Sequence, residues 1–264
     1  MPLALAVCAE GADPSPEVER RFFAKVRLPN GTWKTTYPDR LDDLNRLLGE
    51  LLPRGRELEL MDVAVSSGIS TVEWSDQLRA EGVPHRLLGG DIHPDGRLLS
   101  WGGWFAVLFD AAGREPLLLE AGSLTLPVRS ARRSARLVRP LLTPPLRLLA
   151  DRGRPVPLVS PRLRRRPEIE VVRDDVTVPG RFRERFDVVR AANLIQPAYF
   201  DELTMRGILT NLRDRLREEG LLAVCRTGED GANRATVFRR RGDRLEPEGS
   251  LNGGSEVAEL ALSL

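Results

Sequence analysis

The residues of this sequence best suited to chemistry are three acids and one turn of small side chains. An apolar run, Leu58, Leu60, Met61, Val63 and Val65, carries Asp62 within it and gives way to Ala64, Ser66, Ser67 and Gly68 before a helical pattern begins at Ser70. A strand that ends in small residues and opens a helix lets a ligand lie against bare main chain. The unpaired N–H groups of the helix's first turn then favour a carboxylate or phosphate. Asp91 lies 23 residues after Gly68, at the end of Leu87, Leu88, Gly89 and Gly90, where a carboxylate accepts hydrogen bonds from ribose hydroxyls. Asp175 follows a third apolar run, where it can meet an adenine amino group across the same sheet edge. A plain strand-to-helix turn and a surface acid are the structural alternatives for these residues.

Other reactive side chains say less. Two cysteines and two histidines, His85 and His93, make no zinc-type ligand set and no disulfide scaffold, so no metal site is expected and a reducing cytoplasm is the expected location. His93 follows Asp91 closely enough to act as a base at a site mouth, although an exposed loop histidine is the simpler reading. Asn193 ends a strand and is either a ligand contact or a turn residue. Tyr199 reads as a helix-start packing residue and Cys225 as core. Trp101 and Trp104, flanking Gly102 and Gly103, either line a pocket or anchor a hairpin.

These residues need a scaffold of alternating strands and helices. Residues 58–65, 85–91, 168–173, 186–192 and 220–226 read as strands, with helices over 70–81 and 199–218, which implies a Rossmann-like, mostly parallel α/β sheet covered by helices on both faces. On that helix Leu203, Ile208, Leu209, Leu212 and Leu216 form the expected apolar side. Residues 235–240 and 244–251 suggest an antiparallel C-terminal hairpin, and residues 256–264 fit either helix or strand. A helix over 38–52, with Asp39 as its N-cap, belongs to an N-terminal helical extension, residues 1–55, ahead of a main domain over 56–264. Residues 92–167 form an insertion after the second core strand, too long for a loop, with a hairpin around residues 110–114.

With those residues in place, the sequence resembles the class I S-adenosylmethionine-dependent methyltransferases. Residues 62–71 resemble the family's first motif, a strand, an acid, a glycine-rich turn and a helix. Residues 88–94 resemble the ribose-binding second motif, 172–179 the adenine-side segment, 186–195 the fourth strand, and 216–222 the turn and fifth strand. The likeness spans about residues 56–227 without the insertion. It implies S-adenosylmethionine as cofactor, held by Asp62, Ala64, Ser66, Gly68, Asp91, Ile92, Asp175, Val176 and Asn193, and methyl transfer to a small-molecule acceptor. No catalytic residue is implied, because transfer from a sulfonium proceeds by aligning nucleophile and methyl group. Where the family commonly has three turn glycines this chain has Ala64, Ser66 and Gly68, and at the fifth strand Glu219 and Gly220. Alanine and serine allow close approach but lack ready access to positive φ. That departure keeps open an alternative, a catalytically silent Rossmann-like nucleotide-binding or interaction protein. The GxGxxG pattern of a dinucleotide site is not met.

Charge is uneven. The net charge is +2, yet Arg129 to Arg166 holds twelve arginines and one acid, Asp151, leaving +11 there and −9 elsewhere. Arg129, Arg132, Arg133 and Arg136 fall at helical spacing and would present one basic face, as a recognition surface or as a solvated one. An acidic small molecule is therefore among the expected partners. Nucleic acid ranks behind it, because that stretch holds no aromatic residue on which bases could stack. No apolar run reaches the roughly 20 residues of a membrane span, so no membrane insertion is expected.

Overall fold

The computed structural model describes residues 1–29, 31–34, 36–127, 146 and 148–264. In chain order its elements are α1 (Leu3–Cys8), α2 (Pro16–Phe23), α3 (Asp42–Leu51), β1 (Leu58–Val63), α4 (Ile69–Ala80) and β2 (His85–Asp91). There follow β3 (Asp95–Trp101), β4 (Phe105–Asp110), β5 (Pro116–Ala121), β6 (Leu124–Pro127), β7 (Arg154–Pro157) and the single turn of α5 (Pro161–Arg164). The chain closes with β8 (Ile169–Arg173), β9 (Phe186–Ala192), α6 (Glu202–Arg215), β10 (Leu216–Thr227), β11 (Asn233–Arg241), β12 (Arg244–Leu251) and α7 (Ala258–Leu262). Contacts divide it into two units, residues 1–38, 66–69 and 93–166 in the first and residues 39–65, 70–92 and 167–264 in the second.

The second unit is the α/β body. Its sheet has the order β12-β11-β10-β9-β1-β2-β8, in which β8, β2, β1, β9 and β10 are parallel and β11 and β12 are antiparallel additions. Strands buried on both faces explain their near-continuous apolar sequence. Met61, Val63, Val189, Leu222 and Val224 pack with Ile208, Leu209 and Leu212 of α6, which places that helix on one face. The intervening residues Asp62 and Arg190 meet Thr71 and Trp74 of α4 and Asn45 of α3, so those helices cover the other face. The expected Rossmann-like sheet and its C-terminal hairpin are therefore present, and the ambiguous end of the chain is helical.

Several boundaries move for physical reasons. Asp39 is not an N-cap. It adopts φ +58° in the turn before α3, whose N-terminal flank is Leu41 with no side-chain cap. The helix expected over 199–218 spans only Glu202–Arg215, capped by the Asp201 side chain on the Thr204 N–H. Leu203 is 81% exposed and Leu216 already pairs in β10, so neither belongs to the apolar side of α6.

In the first unit an antiparallel sheet of order β6-β5-β4-β3-β7 carries the inserted segment. Ala106 and Leu108 pack on one face with Ala4, Val7 and Cys8 of α1 and Phe22 and Phe23 of α2, while Val107 and Phe109 meet Leu146 and Ala150 on the other. The N-terminal residues and the insertion thus share one core. The arginines at 129, 132, 133 and 136 lie outside the described residues.

Asp187 ties the amino ends of three strands. Its carboxylate accepts from Arg56 at 2.5 and 3.0 Å, from the Glu59 N–H at 2.8 Å and from Arg217 at 3.1 Å. Burial pushes this carboxyl up, but the Arg56 and Glu59 hydrogen bonds and the Arg217 charge outweigh it and hold it below the usual carboxylate range. A carboxyl lowered on folding stabilises fully above its unfolded value, near about 4, and loses that contribution as pH falls through the native value. Asp187→Asn should therefore lower the urea midpoint at pH 7, and its deficit against the parent should shrink steadily below about pH 4.

Candidate functional site

A doubly wound sheet binds ligands at the carboxyl ends of its strands, where the strand order reverses. Here the chain steps outward from β1 through β2 to β8 and then returns to β9 on the other side of β1, so the reversal lies between β1 and β9. Ala64 and Asn193 are the first residues past those two strands, and both are non-glycine residues held at positive φ, +57° and +58°. Left-handed conformation costs an ordinary L-residue about 1–2 kcal/mol. Such strain persists only where surrounding structure imposes it, and it concentrates at functional sites.

The imposing structure is visible. Asp62, beside Arg190 in register, accepts from Arg190 Nε at 3.0 Å, Arg190 Nη2 at 2.6 Å and Thr71 Oγ1 at 2.7 Å. Arg190, fully buried, also donates to Asn45 Oδ1 and to the Ser70 carbonyl and lies 4.4 Å over the Trp74 ring. This network holds the end of β1 against the start of α4. Asn193 locks the neighbouring edge, accepting from the Thr227 N–H at 2.8 Å and donating to Thr227 Oγ1 at 3.2 Å.

The remaining expected positions of the second unit line up on the same edge. Asp91 ends β2 and is buried, with its carbonyl accepting from the Asp174 N–H at 3.0 Å, and Ile92 beside it is partly exposed. Asp175 turns back on Thr177, accepting from its N–H at 3.0 Å and its hydroxyl at 2.6 Å, and Val176 is buried with its carbonyl bonded to Asn211. Parallel pairing of β1 with β2, β2 with β8, and β1 with β9 places Ala64, Asp91, Asp175 and Asn193 at one end of the sheet. Asp174, not Asp175, makes the buried ion pair with Arg215, at 2.6 and 3.1 Å.

Ser66 and Gly68 cluster with the first unit, at φ +58° and +83°. There the turn is held by its surroundings: the buried Lys34 ammonium donates to the Ser66 carbonyl at 3.0 Å and the Ser160 N–H to the Ser67 carbonyl at 2.8 Å. A Cβ on Gly68 would lie 2.1 Å from Leu163 Cδ1, so that side chain fills the space beside it. The Ser67 hydroxyl is buried without a hydrogen-bond partner among the described residues.

Sequence reasoning missed Lys34, Leu163, Arg190 and Arg215. An arginine in the middle of an apolar strand, with an aspartate at the same position of another, was the readable signal for Arg190. No local signal marks Lys34, which is delivered by the turn between Val26 and Lys34. Trp101 and Trp104 are 78% and 60% exposed, so they do not anchor the hairpin, and Tyr199 is 51% exposed. Burial pushes the thiols of Cys8 and Cys225 up to about 12, which removes both as thiolate nucleophiles at neutral pH.

No family model and no curated protein matches the sequence. Among solved structures, the chain is similar to the CMeT domain of the citrinin polyketide synthase, at 14% identity and a TM-score of 0.41, covering 81% of this chain and 40% of that one. It is similar to the CurJ carbon methyltransferase at 12% and 0.37, over 70% of this chain and 34% of that one. A protein from Pyrococcus horikoshii OT3 matches at 14% and 0.41 over 91% of this chain and 86% of that one. The chain thus spans 40% and 34% of the length of the first two structures. The fold assignment rests on this chain's own strand order. No activity transfers at these identities.

Two stability measurements check this geometry. Arg190→Met should cost about 3–5 kcal/mol in urea unfolding by leaving Asp62 buried without its partner, and adding Asp62→Asn should recover part of that loss. Ala64→Gly should leave stability unchanged or raise it by up to about 1 kcal/mol, because relief of the left-handed strain opposes the added chain entropy. A clear loss in Ala64→Gly would contradict the conformation assigned to that residue.

Proposed function

We propose that the chain binds an S-adenosylmethionine-type donor at the carboxyl ends of β1, β2, β8 and β9 and transfers its methyl group to a small-molecule acceptor. The observation that carries this reading is the pair of strained non-glycine residues, Ala64 and Asn193, at the point where the strand order reverses. Asp91, at the end of β2, is the acid suited to ribose hydroxyls, and Asp175 and Val176 are assigned to the adenine side. Ser66 and Gly68, next along the chain from Ala64, are assigned to the amino-acid end by the motif they resemble, and the Ser67 hydroxyl between them is buried without a hydrogen-bond partner among the described residues. Asp62 has its carboxylate turned to Arg190 and Thr71, so its role is to position the turn that follows it.

When bound, such a donor supplies an electrophilic methyl group on sulfur. The chain's contribution is to hold donor and acceptor in line, a task that requires rigid placement more than a dedicated acid or base. Arg190, Asn45 and Trp74 supply that rigidity for the β1 end, and Thr227 supplies it for Asn193.

A second reading, a catalytically silent protein of the same fold, is favoured by Leu163 filling the space beside Gly68 and by the Lys34 and Ser160 bonds to the turn carbonyls. Two assays separate the readings. Titration calorimetry with S-adenosylhomocysteine should show binding that weakens about tenfold or more in Asp91→Ala, the loss of a hydrogen bond to a charged group. Labelled S-adenosylmethionine mixed with a cell extract should then label an acceptor. Binding without any labelling favours the silent protein, and absence of heat at millimolar ligand, in folded protein, defeats the donor site itself.

A further inference from the structure

The first unit carries its charge and its exposed aromatic residues in a combination the donor site does not use. Its described residues include 13 basic and 9 acidic side chains, a net +4, against −8 for the second unit. On its sheet the turns joining β3 to β4 and β5 to β6 stand side by side: Phe105 pairs with Ala121, and the Gly122 N–H donates to the Trp104 carbonyl at 2.6 Å. Around these tips Trp101 is 78% exposed, Trp104 60%, Leu124 60% and Leu126 45%. Gly102, Gly103 and Gly122 adopt positive φ, which makes tight turns whose flanking side chains project outward.

We propose that this unit docks on an anionic lipid bilayer through the adjoining tips of its β3–β4 and β5–β6 hairpins. The distribution of charge selects this partner. Residues 98–109 and 121–127 contain no charged side chain, so the tips carry nothing to desolvate on entering the headgroup region. Tryptophan favours that region because its ring is apolar and its N–H finds a polar partner there, and the two leucines add apolar area beside it. The net positive charge of the unit's described residues supplies the attraction toward anionic headgroups that apolar tips alone lack. A nucleic acid would instead require basic side chains at the contact to meet its phosphates, and the tips hold none.

The test uses the full chain and sucrose-loaded vesicles, either phosphatidylcholine alone or phosphatidylcholine with about 30% phosphatidylserine, a composition that gives the surface a negative potential. The protein should sediment with the anionic vesicles, release in about 0.5 M salt, and shift its tryptophan emission to shorter wavelength on binding. Trp101→Ser with Trp104→Ser should weaken binding about tenfold or more while leaving the melting temperature unchanged, since both rings are exposed. Leu124→Ser with Leu126→Ser serves as an independent second variant and should weaken binding in the same direction. The proposal is overturned by failure to sediment with anionic vesicles, or by binding that both double variants retain. It is equally overturned if the tryptophans prove necessary for binding a DNA or RNA oligonucleotide, or for a concentration-dependent dimer, and not for vesicles.

Discussion

The end of the main sheet where β1 and β9 meet depends on one buried ion pair. Arg190 and Asp62 sit at paired positions of two central strands, and removing both charges from water carries a penalty that their attraction offsets only with additional hydrogen bonds. Those bonds come from different elements: Asn45 of α3, the Ser70 carbonyl and the Thr71 hydroxyl of α4, with the Trp74 ring beneath the guanidinium. The pair therefore fixes how β1, β9, α3 and α4 meet. Two residues beyond Asp62, Ala64 is held in a conformation that an isolated alanine would leave. A second pair, Arg215 with Asp174, performs a comparable task on the face covered by α6 and fixes the residue preceding Asp175.

The same constraint assigns roles along the edge. A carboxylate saturated by an arginine and a hydroxyl has little left to offer a ligand, so Asp62 acts through backbone placement, and the proposed donor site relies on Asp91 and the main chain instead. Asn193 is suited to its position because asparagine tolerates left-handed backbone better than most residues, and its amide bonds Thr227 from both ends. The turn at Ser66–Gly68 is held in a different way, by Lys34, Ser160 and Leu163 within the first unit. Nothing in the chain's local pattern between residues 58 and 71 announces those three.

Periodicity made most of the parallel sheet legible. The strands at 85–91 and 186–192 match the structure residue for residue, because strands buried on both faces keep a mostly apolar run even where Arg86, Asp187 and Arg190 interrupt it. Antiparallel β3, β6 and β7 escaped notice: β3 and β7 mix exposed and buried positions, and β6 and β7 are only four residues long. The helices α1 and α2 escaped because their apolar residues make sense only against the inserted sheet. At the site, the small-residue turn and Asp91 were visible as local patterns. The buried arginines were hidden because their partners lie more than 40 positions away or on another strand. Alanine and serine lack ready access to positive φ, yet Ala64 and Ser66 adopt it because tertiary contacts override a local preference of about 1–2 kcal/mol.

The most direct test of the account is a titration of labelled protein with S-adenosylhomocysteine followed by backbone amide resonances. If the donor lies where the strand order reverses, the amides of Val65, Ile92, Val176 and Asn193 should shift together along one saturating curve, while those of β11, β12 and α7 stay in place. Saturable shifts confined to another surface, or no shift at millimolar ligand in folded protein, would contradict it.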